Sequence, residues 1–186
     1  EKIAKQCRAE LFEGISTEEI QKAMVLAARA CIEQDPAYSK LATRILWDGL
    51  YKDIIGYETI DYSQLDSQYR VAFIAYIKTA VQLGRLDPKM LMFDLGKLSK
   101  QLRPERDDRF EYLGAQTLYD RYFVQNPLTK KVLETPQMFW MRVAMGLAME
   151  EPHDKEEWAV KFYETLSQTK FVNSITTLFH SGTTMP

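Results

Sequence analysis

The chain has 186 residues, of which 46% are hydrophobic, and this is enough to bury a core of one domain or slightly more. Its 24 basic and 26 acidic side chains leave a formal net charge of -2, so no basic excess favours nucleic acid as a partner. No stretch approaches the ~18 consecutive apolar residues of a membrane span, and no apolar leader opens the chain, so we expect a cytoplasmic protein without a membrane segment.

Residues that commonly bind metals or act in redox chemistry are few. The two cysteines, Cys7 and Cys31, match no metal or redox spacing and lie among apolar neighbours, which favours buried free thiols. The two histidines, His153 and His180, lie far apart along the chain. The sequence therefore predicts no metal site and no histidine-based catalytic triad.

Apolar residues recur every three or four positions, which predicts an all-α fold. The first three helices are predicted over residues 3–12, 17–32 and 38–54. Ser16 and Glu19 have the spacing of a capping box at the start of the second helix, and Asp35-Pro36 ends it. Residues 1–56 are thus predicted to form one small helical unit.

A longer helical region follows a polar, turn-rich stretch at residues 57–65. Helices are predicted over residues 67–83, 88–98, 110–122, 136–147 and 154–168. The charged stretch 103–109 is interpreted as a solvated connector, and turn residues between two valines predict a short β-hairpin near 124–133. Residues 172–186 are rich in Ser, Thr and Gly without a helical period, so we expect an extended segment there.

Three strings in the second half of the chain carry a family resemblance. They are YLGAQTLYDRYFV at 112–124, LETPQMFWMRVAMGLAMEE at 133–151 and FVNSITTLFHSGT at 171–183. In order and spacing they resemble the N-terminal helical domain of class I ribonucleotide reductase large subunits. The resemblance implies a helical domain over 57–171 and an entry segment at 172–186 that leads to an α/β barrel outside this chain.

The first 56 residues resemble, more weakly, the second part of an ATP-cone, the regulatory module that binds ATP or dATP. The matching strings are FEGISTEEI at 12–20 and YSKLATRILWDGLYKDIIG at 38–56. The resemblance implies that Thr17 and Lys52 contact an effector nucleotide and that Gln21 is a polar residue of the same site. The family's β-hairpin with Lys-Arg-Asp-Gly does not precede residue 1, so a partial cone is expected to bind nucleotide weakly or not at all.

The tail string implies a loop beside the substrate diphosphate at Ser174, Ile175, Thr176 and Thr177. Ile175 stands where the family has a Ser or Thr that donates a hydroxyl, and Thr176 stands where it has Pro. Because isoleucine has no side-chain donor, a neighbouring hydroxyl or a backbone amide would have to contact the phosphate. A purely structural role for these residues is equally compatible with the sequence.

The implied activity is reduction of ribonucleoside diphosphates, started by a thiyl radical on a barrel cysteine. No catalytic residue is expected in this chain, so it should not turn over substrate alone, and no cofactor is expected in it beyond ATP or dATP as effectors. The implied partners are the catalytic barrel, a second large subunit and a small subunit that carries the metal-radical cofactor. Whether the chain is a split-gene product or part of a longer protein stays open.

Two interpretations from other classes remain. A self-standing interaction module would use the methionine-rich face at residues 138–149 as a groove for a partner helix. A small hydrolase would use a cluster of carboxylates, namely Glu150, Glu151, Glu156 and Glu157. Core packing explains the methionines more simply, and solvated helix faces explain the carboxylates.

Overall fold

The computed structural model describes residues 2–10, 12–56 and 64–184, and about two thirds of this part of the chain is helical. The α-helices are α1 (Lys2–Glu10), α2 (Thr17–Arg29), α3 (Ala37–Ile55), α4 (Leu65–Gln82), α5 (Leu95–Ser99), α6 (Tyr112–Thr117), α7 (Pro136–Leu147), α8 (Lys155–Ser167) and α9 (Ile175–His180). Short 3-10 helices span Pro88–Met92 and Pro104–Arg109, and a π-helical turn spans Leu118–Tyr122. The predicted all-α fold is confirmed.

Helix α7 forms the centre of the main core. Every residue from Pro136 to Met145 is buried, because α8, the 3-10 helix Pro104–Arg109 and the tail surround it. Helix α3 links this core to α1 and α2, since Trp47 and Leu50 belong to the main core while Ala42 packs in a smaller cluster. The division of the chain at residue 56 stays a prediction.

Local sequence signals placed several boundaries correctly. The capping box is present: the Ser16 hydroxyl accepts from the Glu19 amide at 3.2 Å, and the Glu19 carboxylate accepts from the Ser16 amide at 2.9 Å. The predicted hairpin is a single antiparallel bridge between Gln125 and Val132. Within the described residues, Cys7 and Cys31 are buried and form no disulfide, as predicted.

The prediction of an extended segment at 172–186 is wrong for its central part, because residues Ile175–His180 form helix α9. Ile and Thr at its start favour helix only weakly, which is why the local pattern gave no helical signal. The helix is held by tertiary contacts instead: Leu178 is buried, and the guanidinium of Arg142 donates to the carbonyls of Leu178 and Ser181. Residues 185 and 186 of the predicted segment lie outside the described residues.

The prediction of a solvated connector at 103–109 is also wrong in part. This segment is a 3-10 helix that begins at Pro104, and it inserts Asp107 into the core with only 2% of the residue exposed. Its neighbours Glu105 and Asp108 are exposed, so the burial is specific to one carboxylate.

Candidate functional site

The three residues that the resemblance assigns to an effector nucleotide line one groove. Thr17 opens α2, Gln21 lies one turn later on the same helix, and Lys52 lies in the last turn of α3. The groove between these two helices has a volume of about 480 Å³. This volume falls within the ~300–1,000 Å³ that is typical of small-molecule pockets.

Gln21 fixes the spacing of α2 and α3 at this groove. Its Nε2 donates to the backbone carbonyl of Ile45 at 2.9 Å. The amide reaches that carbonyl only because position 49 is glycine: a Cβ on Gly49 would lie 1.5 Å from Gln21 Nε2. Gln21 therefore has a structural partner in the absence of any ligand.

The charges along the groove do not favour a polyphosphate. Lys52 Nζ lies 2.8 Å from Asp48 Oδ2, so its positive charge is already paired. Three carboxylates line the groove, those of Glu18, Asp48 and Asp53, against two cations, Arg44 and Lys52. A phosphate would therefore meet net negative charge unless Lys52 turned away from Asp48.

The residues assigned to a substrate-phosphate loop form the start of α9. The Ser174 hydroxyl caps the helix by accepting from the Thr177 amide at 3.4 Å, and it lies 3.0 Å from the Thr177 hydroxyl. Ile175 is 64% exposed, and Thr176 beside it is also exposed. The hydroxyl of Thr176 is thus open to solvent, while those of Ser174 and Thr177 contact each other.

A buried ion pair holds this tail against the core. Arg142 and Glu134 have fully buried side chains, with Arg142 Nε 3.0 Å from Glu134 Oε2. Glu134 also accepts from the hydroxyl of Tyr76 and from the amide of Val124. Because Arg142 Nη1 also donates to the Ser181 carbonyl at 2.7 Å, one guanidinium joins α7 to the segment after α9.

A second buried network is centred on Asp107. Its carboxylate accepts from the hydroxyls of Tyr51 and Tyr69 and, at 2.6 Å, from Gln137 Nε2. Gln137 Oε1 in turn accepts from the Tyr163 hydroxyl at 2.6 Å. The network joins α3, α4, α7 and α8 through one side chain.

Burial raises the pKa of the Asp107 carboxyl to about 7, although hydrogen bonds from Tyr51, Gln137 and Tyr69 act in the opposite direction. None of the partners is a cation, so the ionised form has only neutral donors to replace water. Sequence reasoning missed this residue, since nothing in the string RPERDDR distinguishes Asp107 from the exposed Asp108.

The structure does not favour the two other classes of function. The methionines proposed for a partner groove are core residues, because Met138, Met141 and Met145 have no exposed surface. Glu150 pairs with Lys89 at 2.6 Å, and Glu156 accepts from the Asp94 amide at 3.1 Å, so these carboxylates have structural partners. Among the described residues no group of His, Cys, Asp or Glu could hold a metal ion, and no helix is long and apolar enough to cross a membrane.

Residues 108–186 match the family model described as "Ribonucleotide reductase, all-alpha domain". This match covers α6 to α9, and therefore the Arg142–Glu134 pair and the tail. Residues 108–186 are thus similar to the all-α domain of ribonucleotide reductases.

Relatives cover almost the whole chain. The ribonucleoside-diphosphate reductase subunit alpha of Chlamydia pneumoniae is 41% identical over 172 residues, which are 92% of this chain and 16% of the relative. Subunits of the same name are 35% identical in Helicobacter pylori (95% of this chain, 21% of the relative) and 32% identical in Enterobacteria phage T4 (84% and 20%). The chain therefore spans about a sixth to a fifth of these relatives and corresponds to the N-terminal region of the large subunit.

Proposed function

We propose that this chain serves as the N-terminal helical part of a class I ribonucleoside-diphosphate reductase large subunit and supports the reduction of ribonucleoside diphosphates. The observation that carries the proposal is the similarity over 92% of the chain to a subunit of that name. The Arg142–Glu134 ion pair is consistent with it, because Arg142 holds Leu178 and Ser181 of the tail against α7 within the half that matches the family model. The chemistry would belong to cysteines outside this chain, since Cys7 in α1 and Cys31 in the turn after α2 are both buried.

The reconstitution experiment combines this chain with a separately produced remainder of the large subunit and with the small subunit that carries the metal-radical cofactor. We expect reduction of ribonucleoside diphosphates only when all the parts are present, and none from this chain alone. Association of this chain with the remainder, measured by size-exclusion chromatography, should accompany the activity. If the remainder is folded but shows no association with this chain and no activity in its presence, the proposal is contradicted.

The tail would contribute a hydroxyl near the substrate diphosphate. Thr176 is the best placed donor because its side chain is exposed, whereas Ser174 caps α9 and Ile175 has no donor. In the reconstituted enzyme, Thr176→Val should raise the KM for the diphosphate several-fold while Ile175→Val leaves it unchanged. Equal KM values for both variants would reduce this segment to a structural role.

The groove at Thr17, Gln21 and Lys52 would bind the effector ATP or dATP. Three carboxylates line it, so we expect weak binding that strengthens when Asp48→Asn releases Lys52. Isothermal titration with dATP should show tighter binding by Asp48→Asn and weaker binding by Lys52→Gln. Lys78→Gln is the matched control, because Lys78 is exposed on α4 and away from the groove. If Asp48→Asn left the affinity for dATP unchanged, the proposal that the effector binds in this groove would be contradicted.

A regulatory role also requires that effector binding changes the assembly with a second large subunit. Gln21 joins α2 to α3, and α3 packs on α6. A ligand that moves α2 would therefore also shift the position of α6 in the second half of the chain. Sedimentation of the reconstituted large subunit with and without dATP measures this coupling. A dATP-dependent change that Gln21→Ala abolishes is the expected result.

A further inference from the structure

A small pocket beside the tail is lined by three side chains that carry or can carry positive charge. Arg85 follows α4, Arg121 lies in the π-helical turn, and His180 ends α9. The pocket has a volume of about 230 Å³ and one carboxylate in its lining, that of Asp120. Gln116 Nε2 donates to this carboxylate at 2.8 Å, so Asp120 already has a hydrogen-bond partner.

Two nitrogen atoms of the pocket residues are buried without a partner. Arg85 Nε and His180 Nδ1 are shielded from solvent, and within residues 2–10, 12–56 and 64–184 neither forms a hydrogen bond. In the same described part, Arg85 and Arg121 form no ion pair with a carboxylate. Buried polar atoms of native proteins almost always have a hydrogen-bond partner, and Arg85 Nε can act only as a donor. We therefore infer that a ligand supplies the acceptor, to which His180 Nδ1 can also donate when it carries the proton.

The walls of the pocket are held in place independently of any ligand. The Asp87 amide donates to the Gly182 carbonyl at 3.1 Å, and the Thr184 amide donates to the Arg85 carbonyl at 3.2 Å. Arg142 contributes from beneath, because its guanidinium donates to the carbonyls of both Ser181 and Tyr122. A preformed pocket of this kind binds without a large ordering cost.

We propose that this pocket binds a phosphoryl anion, with Arg85 and His180 as donors and Arg121 as an additional positive charge. The volume lies below the ~300 Å³ at which drug-sized pockets begin, so the pocket accommodates a phosphate or diphosphate group and not a whole nucleotide. Arginine favours phosphate over a halide because its planar guanidinium donates two parallel hydrogen bonds. The site shares no residue with the groove at Thr17 and Lys52.

The test titrates this chain with inorganic phosphate and with diphosphate at constant ionic strength maintained by chloride. Binding is measured by calorimetry and by phosphate-induced shifts of the backbone amides of 180–184. Arg85→Gln and His180→Gln should each weaken binding about tenfold, as expected when a charge-assisted hydrogen bond is lost. Arg109→Gln, which removes the same charge from an exposed position outside the pocket, should leave the affinity within about twofold.

Circular dichroism and melting curves check that each variant is folded, and the two pocket variants test the site separately. The proposal would be overturned if the wild type bound phosphate and Arg85→Gln and Arg109→Gln weakened this binding equally. It would also be overturned if the wild type did not bind phosphate. A nucleoside diphosphate that binds as tightly as diphosphate and is equally sensitive to Arg85→Gln would identify the ligand as the phosphoryl end of a larger molecule. Selective binding of the inorganic anions would identify the free ion as the ligand.

Discussion

Replacing Asp107 by asparagine should change how the stability of this protein depends on pH. In the folded protein, burial raises the pKa of this carboxyl from its usual 3.8 to about 7. Between these two values the folded state binds a proton that the unfolded state has released, so the contribution of Asp107 to stability falls as pH rises. The contribution is complete below pH 3.8 and is lost once the pH exceeds about 7.

The size of the effect follows from the two pKa values. At ~1.36 kcal/mol for each pH unit, the full difference between 3.8 and about 7 corresponds to about 4 kcal/mol. Between pH 5 and pH 8 about 2.5 kcal/mol of this should be lost by the wild type and none by Asp107→Asn, because asparagine does not titrate. As the pH increases from 5 to 8, the free energy of unfolding of the variant should therefore rise by that amount relative to that of the wild type.

Urea unfolding at a series of pH values, followed by tryptophan fluorescence and circular dichroism, measures this comparison. Trp47 is a suitable reporter, since its Nε1 donates to the Asp107 carbonyl at 3.3 Å. Asp108→Asn is the matched control: its side chain is 66% exposed, so the same comparison should change by less than ~1 kcal/mol. A difference between wild type and Asp107→Asn that is constant from pH 5 to pH 8 would refute the reasoning.

Three further substitutions test the packing of the tail and of the groove. Arg142→Met leaves Glu134 charged, buried and without its cation, so we expect a loss of about 3–5 kcal/mol in urea unfolding and partial recovery when Glu134→Gln is added. Gly146→Ala places a Cβ 2.2 Å from the Gly182 amide nitrogen and should cost about 1–3 kcal/mol, with faster hydrogen exchange of 174–184. Gly49→Ala displaces Gln21 from Ile45, so a double-mutant cycle with Gln21→Ala should give a coupling of about 1 kcal/mol.

The glycine substitutions have an internal control in Gly114, a helical glycine whose added Cβ would meet its nearest heavy atom at 3.9 Å. Gly114→Ala should stabilise the protein by about 1 kcal/mol, because alanine has the higher helix propensity. If Gly146→Ala also stabilised the protein, the prediction of a close contact between α7 and the tail would be contradicted. For the ion pair, if the double variant with Arg142→Met and Glu134→Gln were as unstable as Arg142→Met alone, the loss of stability could not be attributed to an unpaired charge on Glu134.

Local signals in the sequence determined most of the helices. The capping box at Ser16 and Glu19 and the proline at the first position of α7 depend only on residues close together in the chain. They can therefore be recognised from the sequence without the tertiary structure. The family resemblance rested on contiguous strings and named Thr17, Gln21 and Lys52 as residues of one site. The groove that these residues line is formed by the packing of α2 on α3, which the strings do not specify.

Tertiary structure alone decided which charged residues are buried. Asp107 and Asp108 are identical in local sequence terms, and only the packing of α3, α4, α7 and α8 around one of them makes it a buried carboxylate. Helix α9 likewise depends on a guanidinium contributed from about forty residues earlier in the chain. Hydrophobic period and capping are short-range properties that a sequence records directly, whereas the cost of burying a charge depends on partners that come together only when the chain folds.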